Sequence, residues 1–163
     1  YYWWWEVPPP FIFKEVYMSN FKMIEIKNDK IGDVAVNGFI PLGNIIRKID
    51  CGNNCPAFTV SSSNADTVTI GEAGYYEITY SITALATAVG LNNITLVVNG
   101  VDTYQVGETV ATAGDAINLT LPYVARVYSK CNNMATNNPM TIQIKADTAL
   151  NEATSNLIIK KIY

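Results

Sequence analysis

Apolar and polar residues take turns along most of this chain, and that alternation limits what it can fold into more than any other feature does. In "YYEITYSIT", Tyr76, Ile78, Tyr80 and Ile82 fall on one side, with Glu77, Thr79, Ser81 and Thr83 on the other. In "AINLTLPYVARVY", Ile117, Leu119, Leu121, Tyr123 and Val127 alternate with Asn118, Thr120 and Arg126. "PMTIQIKAD" sets Met140, Ile142 and Ile144 against Thr141, Gln143 and Lys145. A period of two belongs to a strand with one face in a core. Turn signals separate these segments: Asn37-Gly38, Gly71 to Gly74, Asn99-Gly100, Ala113-Gly114-Asp115 and the polar "KCNNMATNNP". Each is rich in residues that accept tight backbone turns. No segment carries a capped helical period, and "ALATAVGLNN" is too short and too glycine-interrupted to hold one. Many strands at hairpin spacing within one domain's length predict an all-β sandwich or barrel.

An open sandwich must protect its edges. With 15% charged residues there are few charges available to do so, which points to oligomerisation. The closing "TSNLIIKKIY" points the same way. Leu157, Ile158, Ile159 and Ile162 put apolar side chains on both sides of the pleat, as in a strand held between a core and a neighbouring subunit. The formal net charge is -3, and basic residues cluster only at Arg47-Lys48 and Lys160-Lys161. A nucleic-acid partner needs a basic face, so none is expected. No apolar run reaches the ~18 residues of a membrane-spanning helix. "MSNFKMIEIKNDKIGD" lacks the apolar stretch behind basic residues that marks a signal peptide. A product that works outside the cell would then leave by lysis or by assembly onto a particle.

The order of elements adds a resemblance. Val68 to Ile70 ends in a glycine turn, Gly74-Tyr75-Tyr76 enters the core, Asn99-Gly100 makes a hairpin, and Leu157 to Tyr163 closes the chain with an apolar strand. This pattern, over roughly residues 36 to 163, resembles the tumour necrosis factor and complement-globular-head superfamily. Within it, the pattern is similar to the bacterial branch that includes the C-terminal domain of the exosporium collagen-like glycoprotein of bacilli. The resemblance implies a jelly-roll sandwich of about ten antiparallel strands, assembled as a tight homotrimer with no chemistry of its own. Tyr76, Tyr80, Leu157, Ile159 and Ile162 are then the candidates for core or trimer interface. Two departures stand out: there is no collagen-like Gly-X-Y stalk, and Met18 to Val36 matches nothing in that pattern.

The opening "YYWWWEVPPPFIFKEVYMSN" admits two readings. As an anchor, Trp3, Trp4 and Trp5 would bury large apolar areas behind an extended run, Pro8 to Pro10. As translated leader, Lys14 to Met18 can be encoded as a ribosome-binding site before a start codon. The Trp and Pro triplets can then be encoded as the two arms of a terminator stem, ahead of T-rich codons for Phe11 to Phe13. Such segments are set aside from fold reasoning. The expected organisation is residues 1–17 as leader or aromatic arm, 18–35 as an N-terminal docking segment, and 36–163 as the jelly-roll domain.

Candidate chemistry is sparse. The chain has no histidine, which removes Ser-His-Asp and Cys-His arrangements and histidine metal sites. Cys51, Cys55 and Cys131 are an odd number and cannot form a closed disulfide framework. Reduced thiols, or one local disulfide in "CGNNC", are expected ahead of a metal site, which usually needs four ligands. The hydroxyls of "SSSNAD" lack a nearby base and are expected in a loop. Glu72 and Glu77 could pair as glycosidase-type carboxylates, but a turn position and a Thr-flanked strand position favour solvated surface. Asp66, Asp102, Asp115 and Asp147 lie near loop ends, where one could ligate calcium at a trimer end as in parts of the family; lone acids are more often plain loop acids. Asn93-Ile94-Thr95 and Asn118-Leu119-Thr120 match the glycosylation pattern but fall inside expected strands. Tyr104 and Tyr128, near loops, are the candidates for a surface sugar contact, since tyrosine offers an apolar plane and a hydroxyl.

These readings converge on an expectation: no catalytic residue, cofactor or metal, but a homotrimeric structural and interaction protein on a virion surface, as a phage head fibre or capsid decoration. Its partners would be the major capsid protein or another particle surface protein, and a host cell-surface glycan. The alternative is a carbohydrate- or receptor-binding adhesin or a spore-surface protein of the same fold.

Overall fold

The alternating segments form eleven strands in a computed structural model that describes residues 21–50, 56–62, 65–128 and 139–163. In chain order these are β1 (Met23–Val34), β2 (Gly38–Phe39), β3 (Asn44–Ile49), β4 (Phe58–Val60), β5 (Val68–Ile70), β6 (Gly74–Ala86), β7 (Gly90–Val98), β8 (Val101–Val110), β9 (Ala116–Val127), β10 (Met140–Ala146) and β11 (Leu150–Lys161). No helix occurs among the described residues, so none is long and apolar enough to cross a membrane.

Two antiparallel sheets make the sandwich. One has the order β3-β1-β11-β6-β9; the other runs β4-β5-β10-β7-β8, with β2 added against the far end of β10. The core lies between them and is built from the predicted inward faces. Tyr76, Ile78 and Tyr80 are fully buried, as are Ile142 and Ile144 on β10 and Ile117 and Leu121 on β9. Phe58 meets Tyr76 edge to face at 5.9 Å. The Asn99-Gly100 signal closes the β7–β8 hairpin, Val98 opposite Val101, with positive φ at both turn residues (51° and 78°). That is the primed two-residue turn whose twist matches its strands, and the second residue is the glycine such a backbone favours.

The sandwich starts ahead of the expected boundary at residue 36: within the segment 18–35, expected to dock, Met23–Val34 form β1, hydrogen-bonded on one side to β11 and on the other to β3. The reason is a short alternation, Ile24 and Ile26 buried and Glu25 and Lys27 facing outward, which a bulge near Gly32 then interrupts. The closing strand carries apolar side chains on both sides of its pleat. Leu157 and Ile159 are buried in the core, Ile158 is half-buried on the outward face, and Ile162 lies beyond the strand, 54% exposed.

Candidate functional site

The outward face of the β3-β1-β11-β6-β9 sheet has an uncharged centre. Strand register lines up Ile158, Thr79 and Pro122 in one row, Asn156, Ser81 and Thr120 in the next, and Thr154, Thr83 and Asn118 in the third. These nine positions on β11, β6 and β9 hold no ionisable side chain. Thr83 Oγ1 donates to Asn118 Oδ1 at 2.9 Å, and Asn156 Oδ1 is buried with no hydrogen-bond partner among the described residues. Charges return at the border, with Glu25 and Lys27 on β1 and Glu77 opposite Lys160. Beyond Glu77, the Arg126 guanidinium carbon lies 5.2 Å from the Tyr75 ring and 4.6 Å from the Tyr128 ring. Tyr75 also meets Tyr163 at 6.3 Å. The result is an aromatic and cationic cluster beside a flat polar, uncharged field.

At the same end, Glu72 receives both Lys22 and Lys161, the latter at 2.7 Å. Partial burial alone would raise the Glu72 carboxyl, but hydrogen bonds from Lys161 and Lys22 and their charge hold it below the ordinary glutamate value. The Tyr76 hydroxyl donates to the Glu72 carbonyl at 2.8 Å.

A second surface lies on the outer face of the other sheet. On β8 the register slips by one residue: Leu96 faces Tyr104 and Val97 faces Asp102, so Thr103 is the extra residue of a bulge. Beside it is a depression of about 280 Å³ lined by Thr95, Asp102, Thr103, Tyr104, Gln105 and Asp147. Asp147 Oδ2 accepts from Thr95 Oγ1 at 2.5 Å and from Gln105 Nε2 at 2.7 Å. Lys145 Nζ reaches Asp102 Oδ2 at 2.5 Å and Asp147 Oδ1 at 3.6 Å. The hydrogen bond to Asp102, helped by the two carboxylate charges, raises the Lys145 ammonium above its usual pKa.

The structure sorts the residues singled out from sequence. Tyr76, Tyr80, Leu157 and Ile159 come together in the core, with Tyr80 paired to Leu157 and Ile78 to Ile159; Ile162 is not with them. Tyr104 sits in β8, four residues past the turn glycine Gly100, 41% exposed, its ring 6.1 Å from Tyr123 at the open edge of the sandwich. Tyr128 follows β9 beneath Arg126. The two surface tyrosines are thus associated with different residues of β9, Tyr123 and Arg126, about 10 Å apart at ~3.4 Å per residue, and belong to different clusters. Glu72 is held by lysines and Glu77 faces outward opposite Lys160, so they make no paired acid and base. Asp66 accepts from Thr67 and Asp115 from the Thr112 amide, the work of turn acids. Among the described residues no group of three or more acids, cysteines or histidines could hold a metal ion. Trp3, Trp4, Trp5, Cys51, Cys55 and Cys131 lie outside the described residues.

No family model and no curated protein matches the chain. Solved structures do. The globular domain of zebrafish complement 1qA protein superposes with a TM-score of 0.61 at 6% identity, over 87% of this chain and 97% of that one. The fold is the jelly roll of that head domain. Eiger TNF from S. frugiperda gives 0.58 at 9% identity over 88% and 92% of the two chains. PRD1 vertex protein P5 gives 0.57 at 15% identity over 87% and 73%.

Proposed function

We propose that this chain is a non-enzymatic structural and interaction protein, a homotrimeric jelly roll displayed on a virion as a head fibre or capsid decoration. The observation that carries the assembly is the uncharged three-by-three field on β11, β6 and β9. A flat face of threonine, serine, asparagine, proline and isoleucine can be covered by another copy without desolvating any charge, the costly step in burying a surface. The family resemblance supplies the number three. The likeness to a vertex protein supports the virion setting over a spore coat. Attachment to the particle is assigned to the N-terminal segment 18–35, or to the aromatic arm through Trp3, Trp4 and Trp5. The depression beside the β8 bulge favours a second reading, an adhesin of the same fold.

Light scattering of the full chain tests the assembly: a stable trimer at micromolar concentration is the expected result, and a stable monomer overturns it. Mass spectrometry of purified particles from the source tests the setting. The chain should be present with the particle's other proteins, and its absence removes the virion assignment. The intact mass in the same experiment shows whether the three tryptophans are part of the mature product.

A further inference from the structure

We propose that the depression beside the β8 bulge is a subsite for a neutral polyhydroxylated ligand, a single hexose unit of a glycan. It rests on reading the domain as a binding module, and it names the surface and the ligand class.

The charges argue for a neutral guest. Asp102, Lys145 and Asp147 alternate minus, plus, minus, with Lys145 Nζ 2.5 Å from one carboxylate and 3.6 Å from the other. An anion would have to approach two carboxylates, and a cation would have to displace the ammonium already between them. A hydroxyl meets neither obstacle: it can donate to a carboxylate and accept from the ammonium at once, leaving every charge paired. Vicinal hydroxyls on a ring repeat that pattern. Charge-assisted hydrogen bonds of this kind are the strong ones.

The groups are also held in place before any ligand arrives. Asp147 is fixed through Oδ2 by Thr95 and Gln105, and its amide donates to the Asn93 carbonyl at 3.0 Å. Thr95 itself is only 4% exposed. Asp102 engages Lys145 through Oδ2 alone among the described residues. Such pre-organisation lowers the ordering cost of binding. Concavity comes from the bulge at Thr103, since an extra residue bends its strand and re-aims a side chain. The depression, about 280 Å³, is slightly smaller than the ~300–1,000 Å³ of ordinary ligand sites, which suits one ring rather than an oligosaccharide.

Saturation-transfer NMR on the intact assembly tests this, with glucose, galactose, mannose and N-acetylglucosamine as neutral probes and glucosamine and sialic acid as charged ones. At least one neutral sugar should bind with a Kd of about 1 mM, and the charged probes should bind more weakly. Asp102→Asn, at a side chain 59% exposed, should keep the fold and weaken binding about tenfold, the scale of one charged hydrogen bond; Asp147→Asn should do the same. Lys160→Ala, on the other sheet, should change nothing. Silence from all neutral sugars, preference for a charged probe, or binding unmoved by both aspartate variants overturns the proposal. A trimer that binds no sugar counts against the subsite alone, and a monomer that binds it counts against the assembly alone.

Discussion

Tyr80 places its ring in the core while its hydroxyl, like that of Ser155, is buried without reaching hydrogen-bonding geometry to any of the described residues. Burial pushes the phenol well above its usual pKa, partly offset by the Ser155 hydroxyl beside it. A buried polar atom without a partner costs stability, so Tyr80→Phe should leave the melting temperature unchanged or raise it. Tyr80→Ala should cost about 3–5 kcal/mol, as large-to-small core changes do. Urea melts of both variants check the pair, and a loss in Tyr80→Phe comparable to that in Tyr80→Ala would mean the hydroxyl is satisfied. Glu72 supplies a pH dependence of known sign. Its folded pKa lies below the ordinary glutamate value, so its contribution is present above that ordinary value and is lost as pH falls through the folded one. The melting difference between the natural chain and Glu72→Gln should be largest near neutrality and narrow below about pH 4. A gap constant with pH would separate Glu72 from the ion pairs with Lys22 and Lys161.

At the scale of elements, β1 decides what can be removed. Ile24 and Ile26 are fully buried and the strand has neighbours on both sides. A chain shortened to begin at residue 36 should therefore lose its far-ultraviolet β signal and precipitate, whereas one beginning at Phe21 should fold. Recovery of a folded product from the shorter chain would contradict the register of β1 with β11. The same strand shows where the sequence is hard to read. β6, β9 and β10 carry uninterrupted alternation, and it appears in the structure residue for residue. In β1 only Ile24 to Lys27 alternate before the bulge at Gly32 breaks the period, so its pattern is too short to stand alone. The polar depression is less legible still. Thr95, Asp102, Gln105, Lys145 and Asp147 come from β7, β8, β10 and the turn after β10, and only the strand pairing makes them neighbours. Asp102 and Asp147 are visible as acids near loop ends, but nothing local in the sequence places Lys145 between them.

At the scale of the whole molecule, the uncharged field on β11, β6 and β9 makes the proposed trimer vulnerable at its centre. Ser81→Arg would put an unpaired cation in the middle row, and burying such a charge costs several kcal/mol. The variant should run as a monomer or fail to assemble in light scattering, while a charge change at Lys27, on the border of the field, should leave the assembly intact. The order of strands also sets how the domain bears load. The first and last strands are antiparallel neighbours, and the start of β1 lies opposite the end of β11, Met23 beside Lys160. A pull between those two ends acts across the ladder at one end, so its hydrogen bonds open one after another like a zipper instead of resisting together in shear. In single-molecule stretching, handles at Phe21 and Tyr163 should peel β1 from β11 at low force, and a handle moved from Tyr163 to Gly114 should raise that force. A head held by its first strand and tugged through its last would yield by unzipping.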